Sequence, residues 1–534
     1  MATETSTPTY KQENIFVRFG RGFVNFFTKG IPNFFTKTLP QFFVKIGKGI
    51  KNFFVEFGKR FMDGSVGTKI SHFIMGAGNV YHGQIIKGLI YFLLQVGFIL
   101  YMVLCPCITG PNGVQVPMGY KSLINLKLEG HEFYFNGSSS SGWTPDGEFI
   151  PADNSFLMLL LGLVTIAIII LFIIVYLSNI KSSYLADTAV KEGRKPSTFV
   201  EDVKALLDNK FHILMLTPTC LAALIFTLLP TILMICLAFT TYNLIDMQNM
   251  TPKPTLFHWS GMTNFVYVFT ASTATSLGQE ISARFFPVLG WTFIWAIFAT
   301  FSCYFGGIIL AVLINKKGLW GKKVFRTIFI LTIAIPQFIS LLVVRNLLDT
   351  NGPFNQLLIN MHIVKQAVDF LGFTATPNAT LAKVVVIIVN MWLGIPYTML
   401  MTSGILMNIP ADLYEAAKVD GTSRMKMFFK ITLPYVIFIT TPYLIGSFVG
   451  NINSFNTIFL LTGGGPSLIN LATNANYVAG ETDLLVTWLY KLTINEGSYN
   501  TGAVIGIFTF IITATITLIT YRRSKAYNEE DTFQ

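Results

Sequence analysis

The sequence predicts an all-α, polytopic integral membrane protein with about eight transmembrane helices. Of its 534 residues, 52% are hydrophobic and only 12% are charged, and the mean hydropathy is +0.56. Soluble domains contain about 25% charged residues. The apolar residues also form several runs of the roughly 20 residues that a helix needs to cross the hydrocarbon core of a bilayer.

The apolar runs place eight predicted spans along the chain. In order, these spans cover residues 87–107, 155–177, 212–240, 290–314, 327–347, 383–406, 435–455 and 501–521. Basic clusters follow the fourth and eighth spans: Lys316, Lys317, Lys322, Lys323, Arg326, and Arg522, Arg523, Lys525. Positive charge concentrates in cytoplasmic loops, so both chain ends are predicted to be cytoplasmic. The net charge of +11 therefore needs no nucleic-acid partner to explain it.

Five segments follow from these spans: a Phe- and Lys-rich extension at the cytoplasmic face (1–86), two peripheral spans with an extracellular loop (87–180), a cytoplasmic linker (181–211), a core of six spans (212–521) and a cytoplasmic tail (522–534). Within the linker, Thr198 and Glu201 have the spacing of a capping box. This spacing predicts that a short helix begins there.

The extension contains an eight-residue repeat. Its units are NFFTKGIP from Asn25, NFFTKTLP from Asn33 and QFFVKIGK from Gln41, and a looser copy follows from Asn52. Each of the three units pairs Phe-Phe with a lysine two residues later, and prolines limit the first two to short helical turns. Aromatic residues interleaved with basic ones suit a segment that lies among lipid headgroups and binds anionic lipid. The alternative is a low-complexity extension without a specific role.

The residues that are absent exclude several classes of function. No G-x-x-x-x-G-K-[ST] phosphate-binding loop occurs, so any ATP is expected to bind to another chain. No core span has an ionisable residue near its centre, which argues against a proton-driven transporter. Nothing in the pattern indicates an enzyme active site or a metal site.

Spans six and seven carry uncharged polar residues within apolar runs. In span six, Asn390, Leu393, Gly394 and Tyr397 have the i, i+3, i+4, i+7 spacing of one helical face. In span seven, Ser447, Asn451 and Ser454 share a face in the same way. Uncharged donors and acceptors beside aromatic surface suit a sugar, while interhelical hydrogen bonding explains the pattern equally well.

Residues 406–434 form a polar island between spans six and seven, here called the coupling loop. Pro410 breaks the preceding helix, and 412–418 predicts a short helix with Asp412 near its positive end. Gly421 can supply the left-handed turn that ends such a helix. A second amphipathic piece follows, which Pro434 is expected to close before span seven.

This loop resembles the EAA loop of ABC-importer permeases, the membrane subunits of ATP-driven importers. Glu415-Ala416-Ala417, Gly421 and Ile431-x-Leu433-Pro434 match the motif position by position. The resemblance implies the type I ABC-importer permease fold and a loop that sits in a cleft of an ATP-hydrolysing subunit. The residues that it assigns to coupling are Tyr414, Glu415, Ala416, Ala417, Asp420 and Gly421. An ordinary amphipathic loop is the alternative.

From about His212 to Tyr521 the chain resembles permeases of the maltose/maltodextrin family. The segments N-x-W-L-G-x-P-Y from Asn390, S-F-x-x-N-x-N from Ser447, T-G-G-G-P from Thr462 and T-D-L-L from Thr482 match in order. The resemblance implies a mid-membrane oligosaccharide site formed by Asn390, Leu393, Gly394, Tyr397, Ser447, Asn451 and Ser454. It also implies the partners: a second permease, two ATP-binding subunits that hold ATP and Mg²⁺, and an extracellular solute-binding protein.

The sequence departs from this family in three places. Ser454 replaces an asparagine and Gly450 replaces a bulky aromatic residue of the enteric maltose subunit, so the exact sugar stays open. The loop after span three is much shorter than the enteric domain, and the Phe-rich extension has no counterpart. Within the class, a permease for galacto-oligosaccharide or glycerol phosphate is the alternative. Outside it, the alternatives are a transporter or channel without an ATPase and a membrane-anchored scaffold.

Overall fold

The computed structural model describes most of the transmembrane part and a portion of each connecting region. The described residues are 36–37, 39–104, 107–109, 115–124, 126, 142–143, 149–150, 154–242, 257–270, 276–316, 318–374, 378–466, 479–495 and 497–523. The first repeat unit, half of the second and the tail beyond Arg523 lie outside the described residues.

The predicted helical membrane architecture is confirmed. Within the described residues, seven helices are long and apolar enough to cross a bilayer: Ile85–Leu104, Ser155–Lys191, Phe211–Leu237, Ile281–Ile314, Ala379–Met407, Arg424–Ile452 and Tyr499–Thr520. A bent helix pair, Lys322–Ala334 with Gln337–Asn360, makes an eighth. We number these eight spans in chain order, so the bent pair is span five.

Span five differs from the straight helix that its apolar composition predicts. Its two parts meet at 96°, and Pro336 stands at the break. Proline has no N–H to continue the helix, and it holds the preceding residue in extended conformation. Ile335 accordingly has φ −83° and ψ 127°. The first part contains 13 residues, about 20 Å of helix, which is shorter than the roughly 30 Å hydrocarbon core.

Apart from one further long helix of 25 residues, the remaining described elements are short. The other described helices are Leu39–Asp63, Val66–Ile70, Ala77–Tyr81, Tyr120–Ile124, Phe199–Leu207, Thr263–Phe269, Ala411–Val419, Phe455–Leu461 and Leu485–Tyr490. Two antiparallel strand pairs lie between spans one and two: Cys107–Thr109 with Gln115–Pro117 and Gly142–Trp143 with Phe149–Ile150. The Phe199–Leu207 helix begins with the predicted capping box.

Span four is the central helix of the core, and it packs mainly against spans six and seven. Small residues allow this close approach. A Cβ atom on Gly307 would lie 2.5 Å from Cβ of Thr398, and one on Gly394 would lie 2.6 Å from Sγ of Cys303. Since lipid tails are as apolar as side chains, helices in a bilayer associate through such packing and through hydrogen bonds. Glycines at this interface therefore hold spans four and six together.

The second span extends past the predicted boundary at residue 180. Its helix continues to Lys191 because its last turns are buried against residues 65–84 rather than exposed as a linker. Oδ1 of Asn179 accepts a hydrogen bond from the Gly76 amide at 2.8 Å, and Oδ2 of Asp187 accepts one from the Ser65 amide at 2.9 Å. These buried side chains make the segment before span one part of the folded structure.

A buried ion pair lies between spans seven and eight, at the end of the bundle opposite the coupling loop. The fully buried Asp483 carboxylate is 2.6 Å from Nζ of Lys491. It also accepts hydrogen bonds from the Gly480 amide at 2.7 Å and from Oγ1 of Thr487 at 2.9 Å. Burial raises the pKa of the Asp483 carboxyl, and the Lys491 ammonium opposes that rise. This network fixes the start of the Leu485–Tyr490 helix.

Candidate functional site

The coupling loop forms the predicted short helix, Ala411–Val419, which begins after Pro410. Asp412 lies in its first turn and Lys418 in its last. A carboxylate near the N-terminal end and an ammonium near the C-terminal end both complement the helix dipole. The local sequence therefore contributes to the stability of this helix.

The helix ends in the predicted left-handed turn. Gly421 has φ +66°, and two hydrogen bonds close the end: the Thr422 amide to the Ala417 carbonyl at 2.9 Å and the Gly421 amide to the Lys418 carbonyl at 3.0 Å. This pair of bonds is the Schellman motif. A Cβ atom on Gly421 would meet nothing within 4 Å. The requirement for glycine here is therefore conformational and not a matter of space.

The coupling helix presents most of its surface to solvent. Its tyrosine is the attachment point, because the hydroxyl of Tyr414 lies 2.9 Å from Oγ1 of Thr432 at the base of span seven. Val419 is 89% exposed. Of the other predicted coupling residues, Glu415, Ala416 and Asp420 are exposed and Ala417 is partly exposed. An exposed helix with acidic and apolar side chains is suited to binding another protein.

Pro434 does not close the second piece of the loop, which corrects the prediction. The chain continues from Arg424 into span seven as one helix, through a π-helical turn at Phe428–Thr432. Pro434 cannot donate a hydrogen bond to the Lys430 carbonyl, and the wider turn immediately before it accommodates that loss. The coupling loop is thereby joined directly to span seven.

Two of the predicted sugar ligands face span four. Nδ2 of Asn390 lies 3.6 Å from Sγ of Cys303, and Nδ2 of Asn451 donates to Oγ1 of Thr300 at 2.9 Å. Cys303 and Thr300 are one turn apart on span four. In this conformation both amides therefore make interhelical hydrogen bonds. A contact with a sugar stays a prediction for each of them.

Leu393 and Gly394 serve helix packing. Leu393 packs against the cluster around Trp291 and Trp295, and Gly394 is in close contact with Cys303. Gly394 therefore leaves no space for a ligand at this contact. Gly450 leaves space for a ligand, since a Cβ atom there would meet nothing within 4 Å.

An uncovered face of spans six and seven carries two tyrosines. Tyr397 is 53% exposed, and its ring stacks on that of Tyr443 with centroids 5.9 Å apart. Ser447, one turn after Tyr443, is partly exposed. Sequence reasoning missed Tyr443, although its spacing from Ser447 placed it on the same helical face.

Ser454 does not share the face of Ser447 and Asn451. The span seven helix ends at Ile452, and Ser454 precedes the next helix, Phe455–Leu461. Its hydroxyl lies 3.3 Å from Oγ1 of Thr457. Because the helix ends two residues before Ser454, the helical spacing that predicted a shared face does not apply to this residue.

Comparison with known proteins places the chain in a family. The family described as "Binding-protein-dependent transport system inner membrane component" matches residues 303–526. The maltodextrin transport system permease protein MalC of Streptococcus pneumoniae is 31% identical over 464 residues, which cover 86% of this chain and 95% of MalC. The chain belongs to the binding-protein-dependent permeases of ABC importers. It is therefore a multi-pass membrane permease subunit and not an enzyme.

Other relatives of this permease differ in what their names say they transport. The galactooligosaccharides transport system permease protein GanP of Bacillus subtilis is 29% identical over 461 residues, covering 86% of this chain and 97% of GanP. A crystal structure of a bacterial ABC transporter involved in the import of the acidic polysaccharide alginate covers 60% of this chain and 98% of the other. Its sequence identity to this chain is 24% and its TM-score 0.44.

Proposed function

We propose that this permease is one of the two membrane subunits of an ATP-driven importer for malto-oligosaccharides or a related oligosaccharide. The similarity to MalC over nearly the full length of both chains carries the proposal. The exposed coupling helix and the uncovered Tyr397–Tyr443 pair support it, because each offers the surface that one step of transport needs. The partner chains are a second permease, two ATP-binding subunits that hold ATP and Mg²⁺, and an extracellular binding protein.

The coupling helix transmits ATP binding to the spans. ATP closes the two partner subunits, and the Ala411–Val419 helix moves with the cleft in which it sits. The second piece of the loop continues from Arg424 into span seven as one helix, and the coupling helix contacts it through Tyr414 and Thr432, so this displacement reaches the helix that carries Tyr443 and Ser447. Nucleotide thus binds the inward-open and outward-open states with different affinity, which is the requirement for coupling.

The sugar site is best formed by the uncovered face of spans six and seven. The rings of Tyr397 and Tyr443 offer an apolar surface to a sugar ring, and the hydroxyls of the tyrosines and Ser447 can pair with sugar hydroxyls. Asn390 and Asn451 join this site if they exchange their span four partners for sugar when the spans move. The described residues of this face include no Arg or Lys, which disfavours glycerol phosphate.

The basic clusters, and the even number of spans obtained by counting the bent pair as one span, support the proposed orientation. In it, both chain ends and the coupling loop face the cytoplasm of a bacterial cell, and the Asp483 network faces outward. Positive charge near Arg326 supports this assignment. The segment between spans seven and eight then lies where a solute-binding protein delivers sugar.

Reconstitution of the complete importer tests the proposed function. The permease pair, the ATP-binding subunits and the binding protein are placed in vesicles, and ATP hydrolysis is measured with a panel of malto- and galacto-oligosaccharides. We expect one neutral oligosaccharide class to stimulate hydrolysis and accumulate inside. Sugar flux that proceeds equally without ATP would instead indicate a uniporter or channel.

Replacement of Tyr397 tests the sugar site. Tyr397→Ala should raise the sugar concentration that half-saturates transport by about tenfold or more, since it removes ring stacking and a hydroxyl worth roughly 0.5–1.5 kcal/mol each. Tyr397→Phe keeps the ring, so the half-saturating sugar concentration should rise less in this variant. Trp392→Ala, an exposed aromatic on another face of span six, is the matched control. Equal effects of Tyr397→Ala and Trp392→Ala would contradict the site.

Reversal of charge at Glu415 tests the docking surface. The exposed carboxylate is expected to pair with a basic group of the ATP-binding subunit, so Glu415→Lys should weaken subunit binding and abolish sugar-stimulated hydrolysis. Lys426→Glu, a charge change of equal size and opposite sign on the exposed second piece of the loop, is the comparison. Normal stimulation in Glu415→Lys would remove this residue from the coupling mechanism.

A further inference from the structure

The helix before span one has two chemically distinct faces. Leu39–Asp63 contains 25 residues, which is about 37 Å of α-helix. At 100° per residue, its six phenylalanines and two isoleucines occupy one third of the circumference. Those residues are Phe42, Phe43, Ile46, Ile50, Phe53, Phe54, Phe57 and Phe61. Val44, Val55 and Met62 lie on the opposite side and are exposed, but the concentration of aromatic residues on one face is typical of helices that lie in a membrane interface.

The opposite face is basic. Lys45, Lys48, Lys51 and Lys59 lie on the polar side, and Arg60, at the border of the two faces, pairs with Glu56 at 3.0 Å. The helix carries five basic and two acidic residues in all. Lysines on this side can reach phosphate groups while the phenylalanines lie deeper, among acyl chains.

Among the residues of this helix whose side chains the structure describes, the contacts with the rest of the protein lie at the C-terminal end. Nζ of Lys191 donates to the Asp63 carbonyl at 2.6 Å, at the negative end of the helix dipole. The rings of Phe57 and Phe61 meet the edge of His72 with centroids 5.2 and 5.1 Å apart. These contacts attach the helix to the ends of spans one and two, at the membrane face that carries the coupling loop.

Beyond these contacts, the described phenylalanines of the apolar face are exposed. Phe53 and Phe54 are 42% and 65% exposed. Apolar surface continues past His72 through Phe73, which is 74% exposed, to a groove lined by apolar residues and Tyr81. That groove lies against the start of span one and includes Ile74, Ile85, Leu89 and Phe92. A surface of this kind at the entry to a membrane span is suited to lipid.

We propose that the Leu39–Asp63 helix lies in the headgroup plane of the leaflet at the coupling-loop face and binds anionic phospholipid. Charge complementarity selects this ligand, because the lysines attract anionic headgroups while the phenylalanines enter the acyl region. The helix thereby fixes the ends of spans one and two at a constant depth. This assignment concerns residues outside the sugar site and the coupling loop, so it does not depend on the proposed function.

An environment-sensitive fluorescent amino acid at two positions of the full-length permease tests the depth of the helix. Position 53 is on the apolar face and position 59 on the basic face. The protein is reconstituted in phosphatidylcholine vesicles with and without phosphatidylglycerol. We expect blue-shifted emission at 53 and water-like emission at 59, with a larger shift at 53 when phosphatidylglycerol is present. Water-like emission at 53, or equal shielding at both positions by a protein partner, would overturn the proposal.

Charge removal tests the lipid preference. Each lysine near an anionic surface strengthens its binding to anionic lipid about fivefold. Replacement of Lys45, Lys48 and Lys51 together by glutamine should therefore weaken the binding of the helix to anionic lipid by about a hundredfold. The emission at position 53 should then no longer depend on phosphatidylglycerol. Added salt should act in the same direction. The matched control removes three exposed lysines of the linker, Lys195, Lys204 and Lys210, and should retain the effect. Equal burial with and without phosphatidylglycerol in the unaltered protein would refute anionic recognition.

Discussion

Asp483→Ala should destabilise the permease by about 3–5 kcal/mol, the usual cost of removing one partner from a buried ion pair. The variant leaves the Lys491 ammonium, whose side chain is largely buried, without its counter-ion. The amide of Gly480 loses its acceptor as well, and the hydroxyl of Thr487 keeps only the Leu484 carbonyl. Thermal unfolding of the purified protein in detergent measures the loss.

A double variant separates charge burial from a simple packing defect. Asp483→Asn with Lys491→Met removes both charges and keeps an oxygen for the Gly480 amide, so it should recover most of the lost stability. Asp483→Ala that unfolds at the same temperature as the unaltered protein would show that the ion pair is not important for folding.

Gly421→Val should uncouple ATP hydrolysis from sugar while leaving the spans folded. A left-handed conformation costs an ordinary L-residue roughly 1–2 kcal/mol, and a β-branched residue is a genuine outlier there. Valine at φ +66° would therefore unwind the end of the coupling helix and displace Glu415 from its docking position. Sugar-stimulated hydrolysis by the reconstituted importer measures the effect.

Asparagine at the same position is the control. Gly421→Asn adds a larger side chain than alanine into open space, yet asparagine tolerates the left-handed region. It should retain most of the coupling, and Gly421→Ala should be intermediate. If coupling in these variants fell with side-chain size instead of with intolerance of the left-handed conformation, this explanation would be contradicted.

Composition and periodicity were sufficient to predict the order of the spans, although not the bend in span five. Runs of about 20 apolar residues have few structural alternatives, because every backbone polar group in a bilayer must be satisfied within the segment. Local signals were equally reliable where one residue type fits: Gly421 in its left-handed turn and Thr198 with Glu201 in the capping box. These features depend only on neighbours in the sequence.

The candidate sugar site was less predictable because its residues depend on other helices. Spacing placed Asn390 and Gly394 on one face, but it could not show that this face packs on Cys303 of span four. A glycine in a membrane helix is compatible with ligand space and with helix contact alike. Similarly, Pro434 signals a break in sequence, whereas a π-helical turn absorbs it in the structure.

The break in span five affects the expected stability of this subunit in the absence of the proposed second permease. The Thr332 carbonyl has no donor in Pro336, and the last carbonyls of a helix lack partners within it. Ile335 and Phe338 beside the break are exposed, yet unpaired backbone is not tolerated against lipid. We expect the partner permease or trapped water to cover this corner. A chain made without its partner should therefore be recognised as incomplete and degraded, so cellular abundance of this subunit should follow synthesis of the other.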